Sequence, residues 1–256
     1  MSTSARVIAP PSRLTLALEG RGLFDLASLL PSTPFLMTAP RGTPQTVLVV
    51  PGLGADDRST VPLRSYLSAL GHDVHGWGLD RRNRAPDFDL RAVHRLIEKL
   101  ADKGGQPVCL IGWSRGGILA REAGRRDPKR VRLVVTLGSP FADPGATNVS
   151  MLWKMMTGED MPRLPPERLA AMAAPIPVPA TAIYTKGDGI VAWRACLEQQ
   201  TSRTENIAVR STHLGLGFHP PALWAIADRL AQPAGTWAPF KPPLWLAPFY
   251  PRAQNA

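Results

Sequence analysis

The residues most suited to chemistry are Gly112-Trp113-Ser114-Arg115-Gly116-Gly117. This run follows an apolar β-branched stretch and precedes a helical one, so Ser114 sits where a strand turns sharply into a helix. A turn that tight needs small residues two positions before and after the serine, and Gly112 and Gly116 stand there. The turn would leave the Ser114 hydroxyl exposed at the end of a strand, with a helix N-terminus beneath it to favour developing negative charge. That chemistry is nucleophilic attack by a serine. A lone G-x-S-x-G occurs by chance; one between a strand and a helix is far more specific.

The elements around this turn follow a regular alternation. Val47-Leu48-Val49-Val50 is a short continuous run ended by Pro51-Gly52, the pattern of a strand buried on both faces. Helical spacing follows over residues 60–70, with Leu63, Leu67 and Leu70 on one side. Further strands are expected at 74–77, 108–111, 133–137, 180–184 and 207–210, and helices at 90–100 and 115–125. The last two strands should each lead into a helix-like segment. Such alternation implies βαβ units, a parallel sheet and helices on both faces. Residues 141–179 interrupt it with prolines, methionines and Trp153, which predicts a small cap over the sheet's C-terminal edge.

With the serine turn in this setting, the chain resembles the α/β-hydrolase superfamily, of the lipase and carboxylesterase kind. The resemblance implies an α/β-hydrolase fold with a mostly parallel central sheet and a cap insertion. It also implies a triad in the chain order serine, acid, histidine. Asp188, in Lys186-Gly187-Asp188-Gly189 directly after a strand, matches the family's acid; Asp143 and Asp160 are weaker candidates. His213, just beyond the last strand in Ser211-Thr212-His213-Leu214-Gly215, matches its base, with His219 as the rival. His72, His75 and His94 have no partner in the expected order. The family's oxyanion donors map onto the backbone N–H groups of Arg115 and of Leu53, in Pro51-Gly52-Leu53-Gly54. The chain departs from the family at Pro51, where histidine is frequent. Serine at the turn argues against dehalogenase and epoxide-hydrolase chemistry, where the superfamily usually has aspartate.

The expected activity is cleavage of an apolar acyl ester through an acyl-Ser114 intermediate, acting on a small-molecule or lipid ester. Thioesterase or acyltransferase chemistry with the same triad is the alternative, and a silent hydrolase-fold binding protein at a membrane is the third reading. Trp113 and the cap residues Met151, Trp153, Met155 and Met156 are candidates to hold an acyl chain, Met being adaptable to irregular apolar shapes. The mechanism needs no cofactor, and the sequence carries no metal-ligand cluster, Walker loop or dinucleotide fingerprint.

Composition bounds the remainder. A chain of 256 residues, 44% hydrophobic and 20% charged, can bury a sizeable core, which excludes a disordered or collagen-like protein. No stretch approaches about 18 uninterrupted apolar residues, and a signal-peptide pattern is lacking; a cytoplasmic location is expected, with peripheral membrane contact as the alternative. The net charge of +10 concentrates in arginine runs at 81–84 and 121–132. These read as solvated faces, with an anionic membrane as the competing partner. No zinc-finger spacing, RNP-like motif or long basic helix supports nucleic-acid binding. Cys109, in an apolar run, reads as a small buried hydrophobe.

The expected organisation is a Pro-rich lead-in over 1–45 with a short amphipathic helix, a hydrolase domain over 46–231, and a Pro/aromatic tail over 232–256. Leu23, Leu26, Leu29 and Leu30 mark that helix, expected to pack on the domain rather than touch lipid. The tail is expected to strap its aromatics into grooves, with a lipid interface beside Lys241 and Arg252 as the alternative.

Overall fold

The computed structural model describes residues 8–79, 86–161 and 164–254. The arginine run at 81–84 and the side chains of Met151 and Met156 lie outside the described residues. The chain opens with three short helices, α1 (Arg13–Ala17), α2 (Gly22–Ser28) and α3 (Thr33–Leu36), with a 3₁₀ turn at Leu18–Arg21 joining the first two. Then come β1 (Thr46–Val50), α4 (Val61–Ala69), β2 (Asp73–Gly76), α5 (Pro86–Gly104), β3 (Val108–Trp113), α6 (Arg115–Arg126) and β4 (Val131–Leu137). Helices α7 (Ser150–Thr157) and α8 (Pro166–Ala173) stand between β4 and β5 (Ala180–Thr185), followed by β6 (Thr204–Val209) and α9 (Pro220–Ala231).

The six strands form one sheet in the order β2-β1-β3-β4-β5-β6, and every neighbouring pair is parallel. Parallel strands need crossovers that cover both faces, and the strand sequences answer that demand. All five residues of β1 and all six of β3 are buried. Their side chains alternate between two cores. Val47, Val49, Cys109 and Ile111 face α4 and α9, whereas Leu48, Val50, Val108 and Leu110 face α5 and α6. Cys109 and Cys196 are both buried and free.

The chain winds outward from β1 to β2, then crosses back to place β3 on the other side of β1. Parallel sheets of this kind open a crevice at the C-terminal ends of the two strands where the winding reverses. The loops after β1 and β3, carrying Leu53 and Ser114, flank that crevice.

First, the helix-like segment expected after β5 is a short 3₁₀ turn at Trp193–Cys196. The Asp188 carboxylate accepts the N–H groups of Ile190 and Val191, so the chain is tied into a loop before a helix can start. Trp193 then stacks on Tyr184 of β5, with ring centroids 5.7 Å apart. Second, Arg121 is not part of a solvated run. It is fully buried, ion-paired with buried Glu198, stacked 3.7 Å from the Phe141 ring centre, and bonded to the Met172 and Ala174 carbonyls near the end of α8.

Candidate active site

The turn after β3 is strained as its sequence requires. Ser114 has φ 54° and ψ −124°, and among the described residues it is the one non-glycine residue at positive φ. A Cβ on Gly112 would stand 2.3 Å from the Gly117 Cα, and one on Gly116 would stand 2.2 Å from the Val50 carbonyl oxygen. Both glycines are therefore demanded by close approach of backbone to backbone. The turn passes hard against the loop after β1, where a Cβ on Gly52 would lie 3.2 Å from the Ser114 Cβ.

The structure brings Asp188 and His213 together. One carboxylate oxygen of Asp188 lies 2.7 Å from His213 Nδ1, and the other accepts from Ile190 N at 2.9 Å and Val191 N at 2.7 Å. With both oxygens engaged, the carboxylate is fixed in orientation, and it fixes the ring. Nδ1–H donates to it and leaves Nε2 as the acceptor. Both residues are buried. Burial alone pulls the His213 pKa down, but the Asp188 charge, its hydrogen bond and the Glu19 charge outweigh burial and leave it above the ordinary histidine value.

The rivals fall elsewhere. His219 pairs with Asp25 at 2.8 Å, Asp160 reaches exposed Lys154 at 3.0 Å, and Asp143 caps a turn by accepting from Gly145 N.

Ser114, His213, Leu53 and Arg115 all line one cavity of about 410 Å³, a size suited to a small organic ligand. Its remaining wall is mostly apolar and includes Trp153 and Met161 of the segment between β4 and β5, Met172 of α8, and Leu214. Met155 is exposed and does not line it, so its expected place against an acyl chain is withdrawn. Trp113 lines the cavity but also has a framing role: its indole N–H donates to the His213 carbonyl at 3.1 Å, and its ring packs edge-on to Phe218. The Arg115 side chain turns to buried Asp89, 2.7 Å away, which neutralises a cation next to the serine.

Two residues of the site were not legible in sequence. Glu19, expected only as part of a lead-in, is buried against the loops that carry Asp188 and His213. Its Oε1 accepts from Gly189 N at 2.6 Å and His213 N at 3.0 Å, and its Oε2 from Leu214 N at 2.9 Å. One carboxylate thus ties the loop of Asp188 to the loop of His213. Gly138, at the end of β4, has φ 53°, and a Cβ there would stand 3.0 Å from His213 Nδ1 and 3.1 Å from Asp188 Oδ2. A glycine directly after an apolar strand was the available signal; nothing local marks Glu19.

A family model described as the alpha/beta hydrolase family matches residues 47–253. The chain belongs to the α/β-hydrolase family. Among solved structures it is similar to Aspergillus fumigatus lipase B, at 19% identity and TM-score 0.56 over 75% of this chain and 53% of that one. This chain therefore spans about half the length of that lipase. It is also similar to a Paleococcus ferrophilus monoacylglycerol lipase, at 18% identity and TM-score 0.53 over 74% of this chain and 97% of that one. A thioesterase domain from the curacin biosynthetic pathway matches at 16% identity and TM-score 0.52, covering 73% and 91% of the two chains. Among curated proteins none matches the chain. At these identities the structural likeness speaks for the fold alone. None of its described helices is long and apolar enough to cross a membrane.

Proposed function

We propose that this α/β-hydrolase cleaves carboxylic esters of apolar acids through an acyl-Ser114 intermediate. The observation that carries the reading is a serine at a strained strand–helix turn opening onto the same apolar cavity as a buried, carboxylate-oriented histidine. His213 Nε2 takes the Ser114 proton as Oγ bonds the acyl carbon. The oxyanion is met by the N–H groups of Leu53 and Arg115. His213 then returns the proton to the departing alkoxide, and the acyl-enzyme forms. Water, deprotonated by His213, then attacks the acyl carbon, and His213 returns that proton to Ser114 Oγ as the acid is released. Asp188 holds the tautomer throughout and stabilises the imidazolium. Glu19 acts as a positioning residue through the His213 backbone. The segment between β4 and β5 caps the cavity, with Trp153 and Met161 against the acyl chain.

The test is hydrolysis of p-nitrophenyl butyrate by the wild type, Ser114→Ala and His213→Ala. The reading expects turnover by the first and loss of at least about a thousandfold in each variant. A folded wild type without turnover would refute it. A clear preference for the matched thioester would move the assignment to thioesterase.

A further inference from the structure

Most apolar residues of the segment before β1 point away from the protein. Leu23 is 71% exposed, Phe24 76% and Leu30 83%, and Leu14, Leu16, Leu18 and Leu26 are exposed as well. A monomer in water rarely leaves so many large apolar side chains together on one short segment. The expected packing of this amphipathic stretch on the domain holds for Leu29, which contacts the core, but not for Leu23, Leu26 and Leu30.

The same segment touches two other features. The C-terminal tail brings Trp245 edge-on to Phe35 of α3 at 5.6 Å, and leaves Leu244 and Trp245 largely exposed. Glu19 holds the backbone of Leu214, which is half exposed and lines the cavity beside His213. The segment that carries the apolar side chains is therefore bonded directly to a residue that lines the candidate active site.

Its charges are one-sided. The acids of the described part of the segment before β1 are Glu19 and Asp25, and both turn inward. Glu19 goes to the catalytic loops and Asp25 to His219 and Ser211. The cations Arg13, Arg21 and Arg41 remain outside. The tail contributes exposed Lys241 and Arg252, and residues 233–256 contain no acid. We infer that the face formed by α1–α3 and the C-terminal tail docks on the surface of an anionic lipid bilayer, seating the cavity mouth at the lipid. Exposed leucines and phenylalanine supply insertion, tryptophan suits the headgroup level, and the arginines meet anionic headgroups. A second copy of the chain fits worse, because a two-fold contact through this face would bring together two surfaces of the same positive sign, with no outward acid of the segment to meet the arginines. The inference stands independently of the esterase reading, since it concerns binding alone.

The test is co-sedimentation with vesicles of phosphatidylcholine alone and of phosphatidylcholine with phosphatidylglycerol. Three proteins are compared: the wild type, the Leu23→Ser/Phe24→Ser pair and the Arg13→Glu/Arg21→Glu pair. All four positions are exposed, so a thermal melt should place both variants near the wild type. The inference expects binding to the phosphatidylglycerol vesicles that weakens with salt and falls about tenfold or more in each variant. Failure to sediment with either vesicle would overturn it, as would equal binding to both or binding unchanged in the variants. A concentration-dependent dimer that disperses in the Leu23→Ser/Phe24→Ser pair, without vesicle binding, would give the face to a second copy instead.

Discussion

The proposed chemistry turns on His213 being correctly oriented by groups that also raise its pKa. A base must be unprotonated to act, so an imidazole pKa above the ordinary value of about 6.5 moves the acidic limb of kcat/KM above that pH. Replacing Asp188 by Asn should lower kcat by about ten-thousandfold, because the ring loses the acceptor that fixes its tautomer. Glu19→Gln is more diagnostic. It keeps the shape of a side chain that accepts from three backbone N–H groups but removes a charge that raises the His213 pKa. Its acidic limb should move to lower pH, with kcat reduced and KM little changed; Glu19→Asp should recover part of kcat. A pH profile of kcat/KM superimposable on wild type would mean that Glu19 only holds the fold. Loss of the Leu53 N–H in Leu53→Pro should cost about a hundredfold to a thousandfold in kcat, read by single-turnover kinetics on a soluble ester.

At the scale of elements, legibility depended on how local the signal was. Strands β1 and β3 announced themselves as unbroken apolar runs because both faces of a central parallel strand are covered. Ser114 was legible because its turn demands glycine at fixed offsets within one short stretch. Asp188 and His213 needed the superfamily's chain order, since nothing near either residue names its partner. Glu19 was out of reach. Its contact with His213 spans 194 positions, and a glutamate among exposed leucines reads as the polar side of a helix. Arg121 was misread for a similar reason: a charge among other charges reads as solvated, whereas here α6 carries it into a site closed by Glu198, Phe141 and the end of α8. Burial drives the Arg121 pKa down and that of Glu198 up, so each charge depends on the other. Arg121→Met alone should therefore destabilise the protein by about 3–5 kcal/mol in urea unfolding, and adding Glu198→Gln should restore much of that loss. Equal stability of the single variant and the wild type would show that the pair is not closed to water.

For the whole molecule, the sheet's reversal point and the segment between β4 and β5 meet at one cavity, and the segment before β1 braces two of the loops around it. The α/β-hydrolase fold supplies the first. The amino-terminal segment reaches over the finished domain and fastens the Asp188 and His213 loops with a single carboxylate. The apolar lining of the cavity sets a specificity expectation. On a series of p-nitrophenyl esters, kcat/KM should rise about fourfold for each added methylene, in line with about 0.8 kcal/mol per buried CH₂, until the cavity is filled. A flat or falling series from acetate upward would show that the acyl chain binds elsewhere.

The central claim is that Ser114 is a nucleophile activated for acyl transfer. It is tested most directly by incubating the protein with a fluorophosphonate and reading the intact mass and the modified peptide. The account predicts one adduct per chain on Ser114, lost in Ser114→Ala and strongly slowed in His213→Ala. A folded protein that stays unlabelled, or that carries the label on a different residue, would contradict it.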